Sequence, residues 1–286
     1  MDDTLQRFAM SEVTTYNWTF EQDVTGYARA GWAGIGVWQN KLEGRGAWYD
    51  AIPVDILDAR IVDRARRTLT QSSLRVSSLI CAGDYTYTST EERGRRVAHT
   101  VASIDVARQI GADCLLIVPG PLRGLSHEHA AELVMRSLVE ALRAAEQHGV
   151  RLAIEPLHER HTDFINTLSE AQALVEEIDH PLCGLFLDTY HLWQTDDLLP
   201  AIERAAGRIF GVHVVDSYAE PRSQEDRLIP GDGVIPLREI VGAVERTGYD
   251  GLYEVEIMSD DLWASDYDHL LERCRAGLRD ILCEES

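Results

Sequence analysis

The chain is poor in basic residues. It carries 27 Lys and Arg against 48 Asp and Glu, a formal net charge of −21 over 286 residues. A surface of that sign repels phosphate backbones and anionic bilayers, so nucleic acid and membrane are excluded as expected partners. There is no apolar run long enough to span a bilayer, and the first residues lack the basic and apolar regions of a secretory leader, so none is expected. The five cysteines, Cys81, Cys114, Cys183, Cys274 and Cys283, form no CxxC pair and no even framework. For Cys81, Cys114 and Cys183, which lie in apolar strand-like runs, buried structural thiols are the expectation, and a reducing cytoplasm fits. No Pro/Ser-rich linker or low-complexity tract breaks the chain. No glycine-rich phosphate loop follows an early strand, because Gly34-Ile-Gly36 lies inside one and lacks a third glycine.

What the chain does have is alternation. Eight strand-like runs lie near Phe8–Thr14, Gly34–Trp38, Val76–Ala82, Cys114–Val118, Leu152–Glu155, Gly184–Asp188, Ile209–Val215 and Leu252–Ile257. Helical periodicity fills the intervals: Phe20–Ala30, Val54–Gln71, Glu91–Ile110, Glu128–His148, Leu168–Ile178, Asp197–Ala206, Leu237–Thr247 and Asp266–Cys283. Gly111, Gly149, Gly207 and Gly248 fall just past helix ends, where a left-handed residue is needed. Strict alternation implies parallel pairing through crossover helices, and the length suits one (β/α)₈ TIM barrel, α/β in class, filling residues 1–286 as a single domain. A doubly wound open sheet is the runner-up, but it is expected to show the phosphate loop that is missing here.

Four residues sit at or just past strand ends: Glu155, Asp188, His213 and Glu256. A strand-end acid is on its own an ordinary loop residue, and His213 alone reads as a core histidine. Together they close the fifth to eighth strands, the mouth at which a parallel barrel gathers ligands. Three carboxylates and one imidazole suit a hard or borderline divalent cation. Glu254 points to the same side of its strand as Glu256, and spacing does not separate the two. His191 lies three residues past Asp188. Arg227 sits in a loop with two glycines and a proline nearby, a setting that favours a fixed side chain. His158 and His161 follow Glu155 and face either the mouth or solvent. Trp18, Trp38, Trp48, Trp193 and Trp263 fall on or near the post-strand side, where they could wall a sugar or ring-bearing substrate.

The runs LAIEPLH, LDTYHLW, GVHVVDS, DRLIPGDGVIPL and GYDGLYEVEIMS, all within residues 150–260, resemble the sugar isomerase/epimerase superfamily of xylose isomerase-like barrels. That group includes ketose 3-epimerases, hydroxypyruvate isomerase and inosose-processing enzymes. The resemblance implies a metal held by Glu155, Asp188, His213 and Glu256, which resolves the choice between Glu254 and Glu256. It implies Glu155 and Glu256 as catalytic acid and base, and His191 and Arg227 as substrate-binding residues, with His161 and Trp38 beside them. The expected ion is Mn²⁺, with Mg²⁺ or Co²⁺ as alternatives. The implied activity is isomerisation or epimerisation by proton abstraction α to a carbonyl, through an enediolate. Ketose 3-epimerases carry a second glutamate where this chain has His161, and the superfamily also holds lyases. A catalytic subunit of a C-glycoside deglycosidase acting on 3-keto sugars is therefore an alternative, as is a sugar-binding barrel without turnover. The expected partner is a small sugar or keto-sugar glycoside, with a homo-oligomer or a small second subunit as compatible protein partners.

Basic residues are sparse in the post-strand loops: Lys41, Arg45, Arg123, Arg160, Arg222 and Arg227. A phosphorylated substrate calls for cationic side chains or free helix-terminal amides. A neutral sugar or glycoside is thus expected to exceed a sugar phosphate in kcat/KM, and a screen that ranks the phosphate higher would overturn this expectation.

Overall fold

The computed structural model describes residues 6–44, 56–223 and 225–282; the side chains of Cys81 and Leu282 are outside that description. Arg45, Trp48 and Cys283, named above, lie outside the described residues. Eight strands form one closed barrel: β1 (Phe8–Ser11), β2 (Gly34–Trp38), β3 (Arg75–Gly83), β4 (Cys114–Val118), β5 (Arg151–Ile154), β6 (Cys183–Asp188), β7 (Ile209–His213) and β8 (Tyr253–Val255). Each pairs in parallel with its chain neighbours, and β8 closes onto β1 with Phe8 opposite Tyr253. The barrel supersedes the open sheet.

Eight helices cover the outside: α1 (Phe20–Arg29), α2 (Ala59–Gln71), α3 (Thr90–Ile110), α4 (His127–His148), α5 (Leu168–Ile178), α6 (Leu198–Arg204), α7 (Leu237–Arg246) and α8 (Tyr267–Leu282). Their starts follow from capping side chains. Thr19 with Gln22 and Thr167 with Glu170 form reciprocal capping boxes. Asp58 accepts from the Arg60 N–H and starts α2 at Ala59; Val54, where the helix was expected to begin, lies outside the described residues. The four predicted stop glycines all have positive φ: 74° at Gly111, 68° at Gly149, 76° at Gly207 and 79° at Gly248. Short helices at Gln39–Leu42, Thr189–Leu192 and Asp260–Trp263 were not anticipated, nor was a two-stranded antiparallel hairpin, Asp216–Ser217 with Arg227–Leu228.

Strand alternation divides the core in two. Leu115, Ile117, Leu152, Ile154, Leu185, Leu187, Tyr253 and Val255 face outward into the large cluster under the helices. Val13, Trp38, Ile80, Cys114, Leu116, Ala153, Phe186, Phe210 and Met258 form a smaller cluster inside the barrel. The free thiols of Cys114 and Cys183 are buried, as expected of them, and so is that of Cys274.

Inside the barrel β6 and β7 exchange glycine and phenylalanine. A Cβ on Gly211 would come within 2.3 Å of the Phe186 ring, and one on Gly184 within 2.4 Å of Phe210. The register shift between these strands leaves Phe210 as the extra residue, with Phe186 opposite Gly211. Phe186 in turn lies 4.4 Å, centroid to centroid, from the His213 ring. Gly211→Val is expected to overpack this layer and cost about 1–3 kcal/mol. Denaturant unfolding measures it, and an unchanged midpoint would mean that Phe186 has room to move aside.

Candidate metal centre

Inward-facing positions continue past the ends of the strands. Ala153, Phe186 and Gly211 lie inside the barrel, so two residues on, Glu155, Asp188 and His213 point inward too, and Glu256 shares its face with Glu254. Asp188 and His213 are the last residues of β6 and β7 and pair directly across them. Glu155 and Glu256 stand one residue past β5 and β8. All four are buried, between 0% and 6% exposed.

They converge on one atom. His213 Nδ1 lies 3.5 Å from Glu155 Oε1, 3.7 Å from Asp188 Oδ2 and 3.5 Å from Glu256 Oε2. Donors bound to one ion at about 2.0–2.2 Å stand roughly 3–3.5 Å apart, so these separations suit a shared cation. Asp188, His213 and Glu256 offer donor atoms within 4.8 Å of one another, as do Glu155, Asp188 and His191. His213 Nδ1 and Glu155 Oε1 are buried without any hydrogen-bond partner, which is the state of atoms shaped to receive a ligand.

The electrostatics carry the same sense. Burial pushes the Glu155 carboxyl up to about 7, with His213 pulling the other way. Burial alone would raise Asp188 as well, but the Arg227 guanidinium and the His191 imidazole overturn it and hold Asp188 well below the usual carboxylate range. Burial opposes a charge on His213, and the carboxylates of Glu256 and Glu254 outweigh it, holding the imidazole well above its ordinary value. Acids packed this tightly favour any cation placed among them.

Arg227 is more deeply built in than a loop residue. It lies in the hairpin after β7, is 2% exposed, and places Nη1 at 2.8 Å from Glu256 Oε2 and 3.2 Å from Asp188 Oδ2. Its guanidinium stacks 4.4 Å above the Tyr190 ring, and its backbone N–H donates to the Met258 carbonyl. Asp216 closes the loop by accepting from the backbone N–H groups of Ser217, Gly231, Gly233 and Ile235. Arg227 thus braces two of the convergent acids, a contact that sequence spacing did not reveal. Tyr190 and Asp216 were missed as well; Asp216 is buried beside the PGDG turn, the one signal that could have found it.

His191 is 5% exposed, and its Nδ1 accepts from the His158 backbone N–H at 3.2 Å. Its Nε2 lies 3.3 Å from Arg227 Nη2, a group that only donates, and 3.7 Å from Asp188 Oδ2. His161 packs edge-on to His191 with centroids 5.1 Å apart, and its buried Nε2 has no partner. Burial lowers His161 to about 4, so it is a neutral group. His158 bonds Gln194 at 3.1 Å and lines a cleft with Tyr190, Trp193 and Tyr218.

The tryptophans divide. Trp38 is buried, donates its indole N–H to Ser11 Oγ at 3.0 Å and belongs to the inner cluster. Trp263 stacks on Tyr16 and packs against that cluster. Trp18 instead packs on α1 and Tyr267, away from the expected wall. Lys41 is buried, paired with Asp23 at 2.6 Å, while Arg123 pairs with Asp84 and Arg222 with Asp226 and Asp261.

Comparison with known proteins places the fold. The model of the xylose isomerase-like TIM barrel family matches residues 26–276. A ketose 3-epimerase of Arthrobacter globiformis is 25% identical over 239 residues, 79% of each chain. An inosose isomerase of Bacillus velezensis is 25% identical over 224 residues, 75% of this chain and 78% of that one. A crystal structure of the IOLI protein with a bound zinc atom superposes with a TM-score of 0.82 at 18% identity, covering 96% of this chain and 98% of that one, a likeness of fold.

Removal of a donor is expected to empty the centre. After purification from Mn²⁺-supplemented medium, elemental analysis of Asp188→Ala and His213→Ala should show strong metal depletion relative to wild type; wild-type content in both would remove the centre from consideration.

Proposed function

The chain belongs to the xylose isomerase-like TIM barrel family, and on that premise we propose that it is a divalent-metal-dependent isomerase or epimerase of a neutral sugar or glycoside, working by proton abstraction α to a carbonyl. The observation that carries this reading is the convergence of three carboxylates on His213 Nδ1 within 3.7 Å, beneath Arg227 and His191. Glu155, Asp188, His213 and Glu256 would hold the ion, with Mn²⁺ as the proposed identity. Bound there, a divalent cation supplies Lewis-acid polarisation of the substrate carbonyl.

The rest is the work of side chains. Glu155 and Glu256 approach His213 from different strands, and each is proposed to address one face of the substrate. One takes the α-proton and leaves an enediolate; the other returns a proton for epimerisation, or the same group returns it to the neighbouring carbon for isomerisation. The His191 imidazole and the Arg227 guanidinium are the groups proposed to orient substrate oxygens. The commitment of Lys41, Arg123 and Arg222 to acids supports a substrate without phosphate.

Glu155→Gln and Glu256→Gln keep one oxygen donor but accept no proton at neutral pH. Each is expected to lose kcat by about 10² or more, measured together with deuterium wash-in from solvent on a panel of free ketoses, sugar phosphates and 3-keto glycosides. Near-wild-type kcat in both variants would reassign the proton transfer. Elimination products from a 3-keto glycoside would place the chain among the lyases, and sugar binding without exchange would leave a non-catalytic barrel.

A further inference from the structure

Glu254 is a fourth buried acid beside the centre, 1% exposed, and the reaction outlined above does not use it. It lies on the other edge of the same imidazole: Glu254 Oε1 is 3.3 Å from His213 Nε2, whereas the three convergent carboxylates gather at Nδ1. Neither Glu254 Oε1 nor His213 Nε2 forms a hydrogen bond, and at 3.3 Å the two lie within reach of one. Two unpartnered buried atoms, one a ring nitrogen and one a carboxylate oxygen, thus face each other at the base of the centre.

The barrel is built to keep the carboxylate there. Glu254 Oε2 accepts from Ser77 Oγ and from Ser78 Oγ, both at 2.8 Å. Consecutive residues of a regular strand point to opposite faces. Here β2 pairs Ile35 with Val76 and Gly36 with Ser78, so Ser77 is an extra residue in β3, and the bulge brings both hydroxyls onto one oxygen. Between β8 and β3 the side chain passes over Gly36, where a Cβ would lie 1.7 Å from Oε1. Bulge, serine pair and glycine all serve the placement of one carboxylate, and a buried acid of ordinary packing would need none of them together.

We infer that Glu254 is a positioning residue: it accepts the Nε2–H of His213 and so keeps the Nδ1 lone pair turned toward Glu155, Asp188 and Glu256. This inference rests on the metal-centre reading above. A metal-bound imidazole is commonly oriented by an acceptor on its second nitrogen, and loss of that acceptor weakens metal binding by about 10- to 100-fold. Glu254 is not a further ligand, because its carboxylate lies on the ring edge away from the donors and one of its oxygens is occupied by two serines.

The test compares wild type, Glu254→Gln and the Ser77→Ala/Ser78→Ala double variant. Zn²⁺ affinity is measured by chelator competition, and the His213 Nε2–H by ¹H–¹⁵N spectra with and without Zn²⁺, assigned by its absence from His213→Asn. Glu254→Gln is expected to bind Zn²⁺ about 10- to 100-fold more weakly and to shift the Nε2–H signal and speed its exchange. The serine variant, which frees the carboxylate without removing it, should move both readouts in the same direction by less. Wild-type affinity with an unmoved Nε2–H in Glu254→Gln would overturn the inference. If wild type itself took up no Zn²⁺, the metal-centre reading would fail, while the spectra would still decide whether Glu254 holds His213. Melting curves identify a variant that does not fold, and the other then decides.

Discussion

Mutual repulsion among buried acids is the constraint on which the site depends. Glu155, Asp188, Glu254 and Glu256 are each at most 6% exposed and surround a single imidazole. An uncompensated carboxylate in such a place costs several kcal/mol. Arg227 and His213 answer part of that charge. A divalent cation among the convergent oxygens would relieve the remainder, which ties metal, acid–base groups and the folding of this end of the barrel into one electrostatic problem.

The fold meets that problem from three directions. Strand parity brings the donors inward. The hairpin after β7, fixed by Asp216 on four backbone N–H groups, carries Arg227 down onto Asp188 and Glu256. From beneath, Phe186 packs against the His213 ring, and the Glu254 carboxylate lies along its far edge. Apolar contact and polar contact act on the same ring, so its plane is set before any ligand arrives. Among the described residues no helix is long and apolar enough to cross a membrane.

The barrel was legible because its signals are local. Apolar runs of strand length, 3.6-residue periodicity and stop glycines each lie within a few neighbouring residues, and the eight strands and eight helices fall where those patterns put them, to within a turn at the ends except at the start of α2. The convergent acids were legible for a related reason: a residue at the end of a parallel strand points where its position in the alternation sends it. Less accessible were Trp18, which packs against α1 and against Tyr267 some 250 residues distant, and Arg227, whose acid partners Asp188 and Glu256 belong to other strand ends.

Glu254 and Glu256 mark the boundary between the two kinds of knowledge. The sequence by itself determined that both point into the barrel, since residues two apart on a strand share a face. It determined too that the chain alternates strictly enough to close, and that four inward residues of suitable chemistry end consecutive strands. Only the tertiary structure decided that one glutamate meets Nδ1 and its neighbour Nε2, because that depends on a bulge in β3 and a glycine in β2, far along the chain. Strand parity is a property of the backbone; which edge of a ring a carboxylate meets is a property of how the barrel closes.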